Sequence, residues 1–178
     1  MKIECPLLYE RVYDINNWVE EYNKLYNDFK REYIESHLTF YSIPIQFKKN
    51  PKVNGRHNSF YHLTTGHDKP ISSDEERDPD VYRIRKFYYP KILIQNYNCS
   101  KECEGCSGIL HWFEKKGSAI KVYIYFDDIK YVVILEYRKN ENKEYFLFKT
   151  AYYVQYLRQR QLFLSSFEKN RNYNPFIK

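Results

Sequence analysis

Two short stretches of this chain carry side chains suited to chemistry on a phosphodiester. The first, Phe60-Tyr61-His62-Leu63-Thr64-Thr65-Gly66-His67, sets an imidazole beside hydroxyls on an apolar run; the second, Phe148-Lys149-Thr150-Ala151-Tyr152-Tyr153, adds further hydroxyls far downstream. Between them lies a basic cluster, Arg83, Arg85 and Lys86. Cleaving RNA without a metal needs a base to deprotonate the 2′-hydroxyl, an acid to protonate the leaving oxygen, and cations or donors to hold the phosphate as its charge grows. His62 can be either proton carrier, since an imidazole titrates near neutrality. Arg83, Arg85 and Lys86 can bind phosphate, arginine through a planar fork and lysine as a point charge. The same residues also fit a hydrogen-bonded structural histidine and a solvated basic helix face, and both readings stand at this point.

The elements that must position these groups follow from hydrophobic periodicity. Over residues 15–35, Trp18, Tyr22, Leu25, Tyr26, Phe29 and Tyr33 recur at spacings of three and four, which predicts a helix with Asp14 accepting from its first free amides. Residues 42–47 and 60–65 read as short strands, the second placing Phe60, His62 and Thr64 on one face. A polar, acidic loop over 66–80 leads to a basic, aromatic helix over 81–89 that Pro90 interrupts. Four β-rich runs, 109–114, 120–126, 131–138 and 145–154, have short connections that favour an antiparallel meander, with the doubly apolar Val132-Val133-Ile134-Leu135 at its centre. In the last run Phe146, Phe148, Thr150 and Tyr152 should share a face. A final helix is expected over 155–169. The sum is an α+β chain: an N-terminal helix, an antiparallel four- to five-stranded sheet, and a C-terminal helix. Residues 1–57 read as a helical extension packed on a domain at 58–170 that carries a cysteine loop at 98–108, with a tail at 171–178.

Size and charge bound what such a chain can do. Its 178 residues suffice for one ordinary core and are too few for a barrel enzyme. The net charge of +6 is unevenly placed: residues 138–178 hold nine basic and three acidic side chains, whereas the remainder is nearly balanced. A basic face attracts polyanions, so RNA or DNA is a fitting partner. No run approaches the roughly 18 apolar residues of a membrane span, and Met1-Lys2-Ile3-Glu4-Cys5-Pro6 does not look like a secretory signal. The expected compartment is the cytoplasm, with no membrane partner.

Cys99, Cys103 and Cys106 form a compact Cys-x3-Cys-x2-Cys triple. That spacing occurs in iron–sulfur enzymes that use S-adenosylmethionine, but there it follows the first strand of a large barrel, and here most of the chain precedes it. A structural zinc knuckle fits better, with His111 or Cys5 closing the tetrahedron. Exposed thiols on a loop are the alternative.

FYHLTT, then ERDPD with an arginine-rich segment ending in YYPKILIQN, then YVVILEYRKN and FLFKTAYYV, resemble a branch of the phage-associated nucleases grouped with barnase, EndoU, the tRNase colicins and RelE-like toxins, over about residues 58–165. The resemblance implies a helical part on a four-stranded antiparallel sheet and cleavage through a 2′,3′-cyclic phosphate without catalytic metal. It also implies a toxin or phage-linked effector, for which a protein antidote or inhibitor is an expected partner. Carried over, His62 takes the place of the first-motif histidine, Arg85 that of a basic residue in the second motif, and Thr150 and Tyr152 those of the hydroxyl residues in the last strand. Thr65, Arg83 and Arg160 are secondary candidates, with Lys86 and Arg158 completing the expected RNA surface.

Two other readings compete. Tyr61-His62-Leu63-Thr64 also looks like the histidine motif with which ADP-ribosyltransferases hold NAD, although Glu136 and Glu144 lack the hydroxyl-rich context expected of a catalytic glutamate there. A non-catalytic module, with zinc knuckle, stacking tyrosines and basic tail, would bind nucleic acid or protein without turnover.

Overall fold

The computed structural model of the chain describes residues 8–66, 79–99 and 106–176. The N-terminal stripe folds as expected. A 3-10 turn at Ile15–Asn17, capped by the Asp14 carboxylate accepting from the Asn16 amide at 2.9 Å, runs into α1, Trp18–Phe29, and a π turn at Lys30–Ile34. Leu25, Phe29 and Tyr33, four residues apart, are fully buried, as an apolar stripe of helical period requires.

Next comes a tight hairpin of β1, Thr39–Phe40, and β2, Ile43–Gln46. Both turn residues, Tyr41 and Ser42, have positive φ (51° and 62°), the backbone a two-residue hairpin turn demands. Neither is a glycine, so the turn is held from outside. Tyr41 stacks on Tyr97 with centroids 5.1 Å apart, and its hydroxyl meets His111 Nε2 at 3.0 Å and Asn174 Nδ2 at 3.1 Å.

Three short helices follow: α2, Asn58–Thr64, α3, Val81–Arg85, and α4, Tyr89–Gln95. The remainder is a meander of β3, Leu110–Lys116, β4, Ala119–Phe126, β5, Tyr131–Lys139, and β6, Glu144–Tyr153, and then α5, Leu157–Asn170. The sheet order is β1-β2-β6-β5-β4-β3. Its two faces carry separate cores. Val122, Ile124, Val133, Leu135, Phe146 and Phe148 pack toward the N-terminal helices, whereas Trp112, Tyr123, Tyr125 and Val132 pack under Phe163, Leu164 and Phe167 of α5. β5 lies between β6 and β4 and is buried on both faces, as its unbroken apolar run predicts.

Four expectations need correction. The sheet has six strands and is mixed, because the hairpin of the N-terminal segment joins it, β2 running parallel to β6 at Ile45↔Phe146 and Gln46↔Leu147. A parallel pair needs a long crossover, which the chain from α2 through β5 supplies. Second, residues 60–65 are mostly the helix α2, not a strand. A short apolar run does not distinguish a strand from a buried helix, and here Thr64 and Thr65 return their hydroxyls to the carbonyls of Phe60 and Tyr61, four residues back. Third, Pro90 opens α4 instead of interrupting a helix, since a first-turn proline gives up no intrahelical bond. Fourth, a β-bulge at Lys149, between the pairs Leu135↔Phe148 and Ile134↔Thr150, switches the face of β6. Phe146 and Phe148 stay in the first core, while Thr150 and Tyr152 turn to the α5 side.

Among the described residues no helix is long and apolar enough to cross a membrane.

Candidate functional site

The α5 side of the sheet is only partly covered. α5 packs on β3 and β4, and over β5 and β6 it leaves an open cleft of about 1650 Å³. Its floor holds Ile134, Thr150 and Tyr152, with Lys121 of β4 and the bulged Lys149 beside them. One wall is the start of α5 with Tyr156, Arg158, Gln159 and Leu162. The other comes from α2 and α3, with His62, Tyr82, Arg83 and Lys86, and here the upper half of β6 has lost its β2 neighbour.

Arg83 joins these parts. Its Nη1 donates to the His62 carbonyl at 2.7 Å and lies 3.5 Å from the Ala151 carbonyl on the unpaired edge of β6. Asp80 holds the start of α3: its carboxylate accepts from the amides of Tyr82 and Arg83, and its own amide donates to the Thr64 carbonyl at 2.8 Å. A Cβ on Gly66 would fall 2.8 Å from Asp80 Oδ2, so a side chain there would have to displace that carboxylate. In α2, His62 is the only residue that is not fully buried. The helical phase turns it away from Phe60 and Thr64, which lie on the core side near Tyr22.

The described lining carries five cations, Arg83, Lys86, Lys121, Lys149 and Arg158, against the single carboxylate of Asp80. Their engagement differs. Lys86 Nζ lies 3.3 Å from Glu10, and Lys149 Nζ is 3.6 Å from the buried Glu136, which also pairs with Arg138. No ion pair engages Lys121 or Arg158 among the described residues, which leaves their charge for an anion entering the cleft. Tyr131, at the edge of the cleft, is packed on Tyr89 in the first core, and burial pushes its phenol well above the usual range, so it stays neutral. Gln159 Nε2 donates to the Tyr152 hydroxyl at 3.2 Å.

His62, Thr150, Tyr152, Arg83, Lys86 and Arg158 thus meet at one cleft, and three expected site residues do not line it. Arg85 is exposed on another face of α3: helical spacing brings Arg83 and Lys86 together and sends Arg85 elsewhere. Thr65 is buried with its hydroxyl on the Tyr61 carbonyl. Arg160 is forked onto Asp127 at 2.7 and 2.6 Å, and Asp127 also accepts from Tyr125, so this arginine fixes α5 to the β4–β5 turn. Lys121, Lys149, Tyr153 and Tyr156 went unread as site residues. A usable signal existed for Lys121, which shares with Tyr123 and Tyr125 the face of its strand opposite Val122 and Ile124; a bulge such as that at Lys149 has no such signature.

Of the expected zinc ligands, Cys103 and Cys5 lie outside the described residues, and among the described residues no three His, Cys, Asp or Glu side chains group as a metal site. Cys99 and Cys106 are half-buried. His111 Nδ1 donates to the Tyr97 carbonyl at 3.1 Å, which leaves Nε2 to accept from Tyr41. With both ring nitrogens engaged in an aromatic cluster, His111 presents no lone pair to the cysteine loop in this conformation.

Burial also depresses the His111 pKa, and burial followed by the nearby lysines depresses that of His57. In the unfolded chain each imidazole regains a value near 6.5 and takes up a proton first as pH falls. Their contribution to stability is therefore complete above about pH 6.5 and is lost progressively below it. A melting temperature that declines between about pH 6.5 and 5 is expected, before the depressed carboxylates of Asp127 and Glu114 begin to protonate. His111→Gln should flatten that decline; an unchanged slope would rule out His111 as its source.

Neither a family model, nor a curated protein, nor a solved structure matches the chain.

Proposed function

We propose that the chain is a metal-independent endoribonuclease acting through this cleft. The observation that carries the reading is the arrival of His62, Thr150 and Tyr152, from segments almost ninety residues apart, in one cationic groove. In the proposed reaction His62 removes the proton of the 2′-hydroxyl as that oxygen attacks the adjacent phosphorus. The bond from phosphorus to the 5′-oxygen breaks, and the Tyr152 phenol, with Gln159 donating to its oxygen, supplies the leaving group's proton. The products are a 2′,3′-cyclic phosphate and a 5′-hydroxyl. Lys121, Lys149 and Arg158 offset the charge that builds on the phosphoryl oxygens, and Thr150 orients them. Arg83 is proposed as the residue that holds α2 against β6, and so places His62.

The α+β architecture, with an antiparallel β3–β6 meander behind N-terminal helices, agrees with what the nuclease resemblance implies. Any zinc on Cys99, Cys103 and Cys106 is proposed to be structural, because neither Cys99 nor Cys106 lines the cleft.

The test is direct. RNA carrying an end label, incubated with the protein in the presence of a chelator, is expected to yield fragments ending in 2′,3′-cyclic phosphate. RNA that binds and stays intact would replace the nuclease reading with a binding module, and cleavage abolished by a chelator that leaves the fold unchanged would exclude the metal-free mechanism.

A further inference from the structure

Resting on the reading of the cleft as an RNA site, we infer that it takes a single strand with its bases stacked on the rim tyrosines Tyr82, Tyr153 and Tyr156. The chain has 20 tyrosines, and nearly all are satisfied: the ring packs on another ring or under a cation, or the hydroxyl hydrogen-bonds. Among the described residues only Tyr82, Tyr153, Tyr156 and Tyr173 have none of these, and the first three line the cleft. Tyr82 is 72% exposed and Tyr156 71%, with Tyr153 at 42%.

Three exposed rings gathered beside a row of cations match a nucleotide strand, whose bases offer π-faces while its phosphates meet the charge. The three rings come from different elements. Tyr82 lies on α3, Tyr153 ends β6, and Tyr156 precedes α5. Bases would therefore splay outward onto both walls, with the backbone following Lys121 and Lys149 along the floor beside Arg158 of the α5 wall. A duplex cannot do this, since its bases are already stacked and paired and present no free face. Attack by the 2′-oxygen also requires it to swing in line with the scissile bond, which the regular geometry of an RNA helix opposes.

The experiment measures binding, so that it stands apart from cleavage. A short fluorescein-labelled RNA protected by 2′-O-methyl groups is titrated by anisotropy, alone and annealed to its complement, across a salt series. The single strand is expected to bind more tightly than the duplex. Tyr82→Ala and Tyr156→Ala, both at exposed positions, should each weaken single-strand binding by about 5- to 100-fold without changing the salt slope. Tyr156→Phe should retain it, whereas Lys149→Ala should lower the slope by about 0.7. Equal affinity for duplex, or unchanged affinity in Tyr82→Ala and Tyr156→Ala, overturns the stacking inference even if RNA is cleaved. Tyrosine-dependent binding to the protected single strand, with no product at any time from the same RNA left unprotected, would uphold it and end the nuclease reading instead.

Discussion

His62→Ala is expected to slow RNA cleavage by about a hundred- to ten-thousand-fold, the range a positioned proton carrier contributes, with the fold retained. Retention follows from where the side chain sits. His62 is the one half-exposed residue of α2, with its ring toward the cleft, and alanine is the best helix former, so the substitution opens no core cavity and does not weaken the helix. The contacts that fix α2 to α3 and β6 are left in place: Arg83 donates to the backbone carbonyl of residue 62, the Asp80 amide donates to that of Thr64, and Phe60 and Leu63 stay in the first core. Initial rates on a labelled RNA, beside circular dichroism and thermal melting, separate the two effects. A rate within a few-fold of the parent, with an unchanged melt, would remove His62 from the mechanism, and Tyr152→Phe would then test whether the hydroxyl side alone carries the proton transfers.

How far the site could be read from the sequence depended on which periodicity governed each segment. Thr150 and Tyr152 do share a face, since two residues apart on a strand they must, whatever happens upstream. That they point away from Phe146 and Phe148 depends on one unpaired residue, Lys149, and strict alternation has no place for it. The same bulge brings the Lys149 ammonium into the cleft, so the irregularity and a proposed function coincide, as they commonly do at bulges. Around His62 the period itself was misread: Phe60, Tyr61, Leu63 and Thr64 are all buried, and an element buried on nearly every side shows neither a two-residue nor a 3.6-residue rhythm. On α3 the choice between Arg83 and Arg85 as the inward arginine needed the helical phase relative to a neighbouring element, which is tertiary information. The β3–β6 meander, by contrast, was legible to within a residue or two, because each strand is long and its turns are marked, as at Gly117 with φ +63°. The parallel joining of β2 to β6 rests on contacts a hundred residues apart and left no local trace.

Trp112→Ala is expected to destabilise the protein by about 3–5 kcal/mol, a large share of the 5–15 kcal/mol typical of a folded domain. The indole is 1% exposed and is the largest side chain of the second core. It stacks on Tyr123 with centroids 5.0 Å apart and makes T-shaped contacts with Phe163 at 6.3 Å and Phe167 at 5.9 Å. Its Nε1 donates to Ser166 Oγ at 2.9 Å, and that hydroxyl also meets the Glu114 carboxylate. α5 has no fully buried residue of its own, so its hold on the sheet is the packing of Phe163, Leu164 and Phe167, together with the Ser166–Glu114 bond, the Arg160–Asp127 fork and the Gln159–Tyr152 bond. Removing the indole empties the middle of that contact and leaves two half-buried phenylalanines facing a void. For a chain of this length the loss corresponds to a fall in melting temperature of roughly 6–20 °C. Trp112→Phe keeps the stacking and loses the hydrogen bond, and should cost about 1–2 kcal/mol. Urea unfolding of both variants checks the order. Because α5 forms the wall that carries Arg158, Gln159 and Leu162, RNA binding should fall with α5 docking at temperatures where the first core is still intact. A Trp112→Ala protein as stable as the parent would mean that α5 is fixed chiefly by its polar contacts, in which case Asp127→Asn would be the substitution that opens the cleft.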